Sequence, residues 1–253
     1  VGLEPLQEFD LPVDKACLVI GGGPAGMTAA LGLANQGFKV HLVEKDATLG
    51  GMARRIGSTI EGLDVQAYLR ALIHNVYKHP LIHVSHEAAI TDVSGYVGNF
   101  TTTVESEGMR KQIHHGAAIL ATGAAEYKPT EYLYGQDERV CTQLELEEKM
   151  AAGDEHLGQA STLVMIQCVG CRQQDRNYCA RVCCSQAVKN ALALKRINPS
   201  LDIHILFRDM RTYGFMEDAY REAASQDVKF IRWEPDDPPA VEAAEEEGKP
   251  VLR

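Results

Sequence analysis

The apolar positions of this chain fall into short runs separated by glycine-rich turns and amphipathic stretches. Ala16 to Ile20 is a short, partly β-branched apolar run, suited to a strand of a parallel sheet buried on both faces. Met27 to Gln36, rich in Ala and Leu and closed by Gly37, predicts a helix. Phe38 to Val43 predicts the next strand, ending at Glu44. Asp64 to Tyr77 sets Leu69, Leu72, Ile73 and Val76 on one face of an amphipathic helix. His79 to Val104 breaks into short strands with turns at Ser94-Gly95 and Val97-Gly98-Asn99, the pattern of an inserted β-meander. Ala118 to Gly123 is a further strand running into a turn.

The second half repeats the alternation. Ser161 to Gln167 predicts a strand, Ser185 to Ile197 a helix packed through Val188, Leu192 and Leu194, and Asp202 to Arg208 a strand. Phe215 to Ser225 and Val228 to Arg232 add a helix and a strand, completing βαβαβ. The pattern therefore predicts an α/β fold of two Rossmann-like units with a small inserted β-meander. Its expected divisions are an irregular lead over 1–14, a first unit over 15–155, a second over 160–235 and an acidic, incomplete tail over 236–253. The lead carries Pro5 and Pro12, Trp233 to Pro239 breaks regular structure, Glu242 to Gly248 is acidic, and Lys249 to Arg253 begins what could be another strand.

Composition narrows the function classes. At 253 residues two domains are plausible, and 45% hydrophobic with 24% charged residues is ordinary for a globular chain. A formal net charge of -10 argues against nucleic acid as partner, because a phosphate backbone needs a basic surface. No apolar run approaches the roughly 18 residues of a membrane span, and no basic segment with an apolar core marks a secretory leader. Seven cysteines read as ligands or catalysts of a reducing compartment, so the expected location is the cytoplasm. His83, His86 and the pair His114-His115 lack partners at ligand spacing and read as ordinary strand histidines, with His114 and His115 on opposite faces.

The chemistry concentrates at two loops. Gly21-Gly-Gly-Pro-Ala-Gly26 follows a predicted strand and opens a predicted helix, with glycines at 21, 23 and 26. Gly21 permits the tight turn, Gly23 lets backbone amides approach phosphate oxygens, and Gly26 lets the helix pack on the strand. Glu44, about 20 residues further on, stands where a carboxylate accepts hydrogen bonds from a ribose hydroxyl. The second unit should place a similar loop after its first strand. It reads instead Cys168-Val-Gly-Cys171, then Cys179-Ala-Arg-Val-Cys183-Cys184. Buried free thiols explain so dense a set poorly, a Cys168/Cys171 dithiol leaves three cysteines idle, and zinc carries no electrons. An iron–sulfur cluster uses them: Cys179 and Cys183 are one helical turn apart, Cys184 lies beside them, and the loop can return Cys168 or Cys171. The helix end, Arg172, Arg176 and Arg181 would offset the thiolate charge.

Together with Gly50-Gly51 and the Ala121-Thr-Gly123 turn, the glycine loop resembles the two-dinucleotide-binding-domain flavoproteins, which implies FAD. A more specific resemblance rests on Gln167-Cys168-Val-Gly, Tyr178-Cys179-Ala-Arg-Val-Cys183-Cys184 and Arg208-Asp-Met-Arg-Thr-Tyr-Gly214. These, with Val93 to Phe100, Glu126 to Pro129 and Thr142 to Leu146, look like the A subunit of heterodisulfide reductase over Lys15 to Pro239. The resemblance implies an oxidoreductase subunit that transfers electrons between FAD and a [4Fe–4S] cluster, in some complexes with flavin-based bifurcation. It implies that Gly21, Gly23, Pro24, Ala25, Gly26, Glu44, Lys45, Gly51, Met52, Ala121, Thr122 and Gly123 line the FAD site. It further implies that Cys168, Cys179, Cys183 and Cys184 hold the cluster, with Cys171 an alternate ligand. Implied partners are heterodisulfide reductase subunits of the B and C type and hydrogenase- or dehydrogenase-type donors, with no nucleic acid and no transmembrane segment. The family's later FAD-completing segment and its ferredoxin-type motifs are absent from this sequence, so a fragment, or parts supplied by another polypeptide, is expected. Two alternatives stay open: a pyridine-nucleotide-dependent disulfide oxidoreductase using Cys168 and Cys171, and a non-catalytic zinc-stabilised assembly module.

Overall fold

The computed structural model describes residues 11–246 and 249–253, so most of the expected lead, and Glu247 and Gly248 of the acidic run, lie outside the described residues. The described residues form two compact units, one of residues 11–54 and 66–124, the other of residues 55–65 and the described part of 125–253. Both contain parallel sheets with helices, the α/β class that the alternating pattern predicts.

In the first unit β1 (Cys17–Ile20) leads through the glycine loop into α1 (Pro24–Asn35) and back to β2 (Val40–Val43). After α2 (Val65–Lys78) comes β3 (Ile82–Ser85), then the antiparallel β4 (Ala88–Tyr96), β5 (Asn99–Ser106) and β6 (Met109–His115), and finally β7 (Ala117–Leu120). The parallel sheet has the order β3-β2-β1-β7 and the meander the order β4-β5-β6. Leu18 and Val43 of the sheet pack with Ala88, Val104 and Ile113 of the meander, which is why the insertion folds with this unit. The meander runs further than the sequence pattern suggests, since β6 shows four exposed polar or flexible positions before its buried Ile113. On β6 His114 is exposed and His115 buried, as strand alternation requires. His115 Nδ1 lies 3.0 Å from Ala117 O and its Nε2 lies 2.8 Å from Thr102 Oγ1.

His41 on β2 stacks on His83 of β3 with ring centroids 5.5 Å apart. Burial, followed by the nearby charges of Lys39, His83, Lys111 and His115, lowers its pKa from 6.5 to about 4. Below pH 6.5 the unfolded chain takes up a proton that the folded unit refuses. Stability is thus complete above pH 6.5 and drains away as the pH falls towards 4. For this half-buried ring the loss is roughly 1–2 kcal/mol. Denaturant unfolding at pH 7 and pH 4.5 should show a smaller acid-dependent loss for His41→Gln than for the parent; equal losses would refute the linkage.

The second unit holds α3 (Gln143–Ala152), α4 (Glu155–Gln159), β8 (Thr162–Ile166), α5 (Cys183–Ile197), β9 (Asp202–Phe207), α6 (Met216–Ser225) and β10 (Lys229–Arg232). Its parallel sheet has the order β10-β9-β8. The core gathers Met165, Val188, Leu194, Ile203, Ile205 and Val228 with Leu146 of α3. Residues 125–155, expected in the first unit, therefore belong here: α3 packs on α5, and Glu147 forms a buried ion pair with Lys189 at 2.7 Å. A capping box starts α3, with Glu145 N donating to Thr142 Oγ1 and Thr142 N to Glu145 Oε2. β11 (Ala243–Glu246) and β12 (Lys249–Leu252) pair as an antiparallel ribbon.

Candidate functional site

In the first unit the predicted loop residues meet at the carboxyl ends of β1, β2 and β7, where parallel α/β sheets place ligands. Gly21 N donates to Val43 O and Ala121 N to Ile20 O, both at 2.8 Å, which ties the three strand ends together. Gly21 has φ +107, and a Cβ there would overlap Ala121 O, so both conformation and space require glycine. A Cβ on Gly26 would overlap the carbonyl oxygen of Gly21, which is the close helix–strand approach expected of that position. Gly23 differs: a Cβ there would meet nothing within 4 Å. Gly23 is also the N-cap of α1, with Pro24 opening the helix. The first-turn N–H groups of a helix have no intrahelical acceptor, so this end is free to receive an anion.

Glu44 is 4% exposed. Its Oε2 accepts from Gly22 N at 2.6 Å and its Oε1 from Asp46 N at 2.8 Å. The carboxylate therefore braces the glycine loop and its own turn, a role that sequence spacing did not disclose. Gly50 N donates to Gly22 O at 2.8 Å, and a Cβ on Gly51 would lie 3.4 Å from Gly23 Cα. The 50–51 turn thus rests directly against the loop. Ala25, Lys45, Met52, Thr122 and Gly123 are exposed or half-buried around it.

In the second unit β8 ends at Ile166 and the chain enters an irregular loop that lasts until α5 begins at Cys183. Non-glycine residues Cys168 (φ 68), Arg172 (φ 59) and Arg181 (φ 66) take left-handed conformations there, each costing about 1–3 kcal/mol. Cys168, Cys171 and Cys184 are buried, Cys179 and Cys183 half-buried, and all are free thiols. Cys179 lies in the loop, ahead of the helix, so it and Cys183 do not form the helical pair that their spacing suggests. Cys184 Sγ donates to Asp209 O at 3.6 Å. Arg181 N donates to Cys179 Sγ at 3.3 Å.

Burial, with the neighbouring thiols, raises the Cys168 thiol pKa, and burial raises that of Cys171. The Cys183–Cys184 interaction pushes the Cys183 thiol up and brings that of Cys184 down. Among the described residues no three His, Cys, Asp or Glu side chains are placed as ligands of one ion. Of the three arginines expected to offset thiolate charge, Arg172 reaches a sulfur, with Nη1 3.9 Å from Cys168 Sγ, and its Nη2 pairs with Asp209 at 2.6 Å. Arg176 lies over the Tyr127 ring at 4.6 Å, and Arg181 contributes its main chain. Sequence reading gave Tyr127 and Asp209 no part in this loop. The Tyr127 ring lies so close to Gly170 that a Cβ at 170 would stand 2.6 Å from Tyr127 Cγ.

Residues 16–115 match the FAD dependent oxidoreductase family. The iron-sulfur A subunit of CoB–CoM heterodisulfide reductase from Methanocaldococcus jannaschii is 30% identical over 92% of this chain and 50% of that protein. The A subunit of the H2/formate:CoB-CoM heterodisulfide,ferredoxin reductase of Methanococcus maripaludis is 31% identical, with the same coverage of each. The chain spans about half the length of these curated relatives. Among solved structures, thioredoxin reductase from T. acidophilum aligns with a TM-score of 0.56 at 12% identity, covering 95% of this chain and 74% of that one. The Cu(II) complex of a mutant of the flavoprotein disulfide reductase RclA from Escherichia coli gives 0.54 at 16% identity, covering 96% and 53%. These two likenesses concern the fold. The sequence relationship, which extends over 92% of the chain, makes these heterodisulfide reductase A subunits homologues of this protein.

Proposed function

We propose that the chain is the FAD- and iron–sulfur-carrying part of an electron-transfer subunit in a heterodisulfide-reductase-type complex of the cytoplasm. Its own two units would divide the work, with flavin at the glycine loop and a [4Fe–4S] cluster held by Cys168, Cys179, Cys183 and Cys184. Bound there, FAD supplies two-electron acceptance with one-electron release, including bifurcation in some complexes, and the cluster supplies single-electron carriage. Subunits of the B and C type, and hydrogenase- or dehydrogenase-type donors, would be its partners.

The chemistry of the donor sets suits both groups. At the first loop, Gly23 has no neighbour in the protein that demands glycine, which fits a position kept bare for an approaching pyrophosphate. The helix end beyond it would take the phosphate charge, Glu44 would accept from a ribose hydroxyl, and Gly51, Met52, Thr122 and Gly123 would border the ring system. At the second loop, the observation that carries the reading is the gathering of five free thiols in one short stretch, with Arg181 N donating to Cys179 Sγ at 3.3 Å and Arg172 Nη1 3.9 Å from Cys168 Sγ. Hydrogen bonds of this kind favour thiolates and tune the potential of iron–sulfur centres. Arg172 adds a cation at Cys168.

Anaerobic purification followed by iron, sulfide, zinc and flavin analysis tests the proposal. About four iron atoms per chain are expected, lost in Cys179→Ser, Cys183→Ser and Cys184→Ser and kept in Cys171→Ser. A second reading has one observation in its favour: Cys168 and Cys171, but none of the other three, border a common cavity. It proposes a disulfide oxidoreductase, and iron-free protein whose activity depends on those two cysteines alone would establish it. Stoichiometric zinc in colourless protein would instead mark an assembly module.

A further inference from the structure

The three strands of the second sheet each run into a nitrogen donor at the same edge. Gln167 follows β8, Arg208 follows β9 and Trp233 follows β10, so all three stand at the carboxyl edge of one parallel sheet. Together they border a cavity of about 340 Å³ within the second unit. Gln167 is 2% exposed, and its Nε2 has no hydrogen-bond acceptor. The indole Nε1 of Trp233 is also buried without one. Arg208 spends one nitrogen on Arg172 O at 2.7 Å and lies over the Trp233 ring at 5.5 Å. No carboxylate among the described residues pairs with it. A buried donor left unmet destabilises the fold, so two such donors and an unpaired guanidinium around one void ask for an acceptor from outside.

Glu131, the acidic residue bordering the cavity, has its carboxylate engaged by Thr130 N at 2.8 Å and by Tyr127 OH at 3.3 Å. Those donors are neutral and leave Glu131 its charge; the buried N–H donors left unmet are Gln167 Nε2 and Trp233 Nε1, and the cation without a carboxylate partner among the described residues is Arg208. Pro235, Pro238 and Tyr132 supply flat apolar wall. Cys168 and Cys171 border the cavity, and Cys179, Cys183 and Cys184 do not. Its volume lies at the small end of ligand pockets, short of a dinucleotide.

We infer that this cavity is a binding site for a small oxyanion-bearing molecule, a carboxylate, sulfonate or phosphate on a short organic body. Arg208 binds the charge, Gln167 and Trp233 donate N–H bonds to the remaining oxygens, and the anion sits beside Cys168 and Cys171. The inference does not rest on the cluster or on the flavin.

Trp233 is the chain's only tryptophan, so its emission reports on the cavity directly. The whole chain, with its iron and flavin content measured, is titrated with acetate, methanesulfonate and inorganic phosphate up to about 50 mM while emission and heat are recorded. At least one anion should give saturable binding by both, and the order of the three identifies the head group. Affinity should fall about tenfold in Arg208→Gln and less in Gln167→Leu, with melting curves confirming that both variants fold. Should Arg208→Gln fail to fold, the loss in Gln167→Leu decides. No saturable binding of any of the three anions, or binding undiminished in the folded variants, overturns the inference. Since iron and flavin are assayed separately, their absence alongside normal anion binding would sink only the electron-transfer reading.

Discussion

A chain carrying Gly26→Ala is expected to lose both its flavin and the order of its first unit, whereas Gly23→Ala is expected to lose flavin alone. The new methyl at 26 would overlap the carbonyl oxygen of Gly21 and stand 3.0 Å from its carbon. Both are backbone atoms at the end of a buried strand, so neither can step aside cheaply. An insertion of this kind costs about 3 kcal/mol or more. At 23 the backbone is extended, with φ -74 and ψ 179, which alanine adopts readily, and its Cβ would meet no protein atom within 4 Å. The fold should therefore survive. Loss of close backbone approach to a pyrophosphate should weaken FAD by at least about tenfold, or 1.4 kcal/mol. Flavin-to-protein absorbance ratios and thermal melts of the two variants separate the effects. Stoichiometric flavin in Gly23→Ala would remove the cofactor from this loop.

The second large effect is expected at Glu147. Its two carboxylate oxygens both lie 2.7 Å from Lys189 Nζ, and Oε1 also accepts from Gly57 N at 2.8 Å. The ammonium has one further acceptor, Ser58 O at 3.0 Å. The Lys189 and Glu147 side chains are 10% and 7% exposed. Glu147→Ala strands a buried cation and should cost about 3–5 kcal/mol in urea unfolding of the second unit. The pair itself need not be stabilising. A double variant, Glu147→Leu with Lys189→Met, removes both charges and should regain most of that loss. A double variant as unstable as Glu147→Ala would show that the Gly57 contact, and not the stranded charge, sets the cost.

Much of this fold could be read from hydrophobic patterning because its strands are short, buried runs at turns that glycine or cysteine marks. Val19 and Leu42 in the first unit, and Ile203 and Ile205 in the second, are fully buried, so their segments read as strands without reference to partners. The elements that escaped notice lack that contrast. β6 shows Met109, Arg110, Lys111 and Gln112 to solvent and is a strand because β5 pairs with it along its length. The helix α3 carries a capping-box spacing, Thr142 to Glu145, yet its ion pair with Lys189 depends on a contact that no local pattern encodes. At the sites, residue types and spacing disclosed the glycines and the cysteines. They could not disclose that Glu44 would brace the loop, or that Gln167, Arg208 and Trp233, far apart in sequence, would end neighbouring strands.

The contact between Tyr127 and Gly170 bears on whether the cysteine loop can be moved. The ring occupies the space that any side chain at 170 would need, and Arg176 covers the same ring from within the loop. Part of the template for the loop is thus written far upstream of it, in a segment that precedes even the first strand of its sheet. Grafting 167–184 onto another Rossmann scaffold without a residue-127 equivalent would transplant the thiols and leave their mould behind. Gly170 also has φ +69, so a side chain there is strained even where the ring is removed, and position 170 should stay glycine as the sequence diverges.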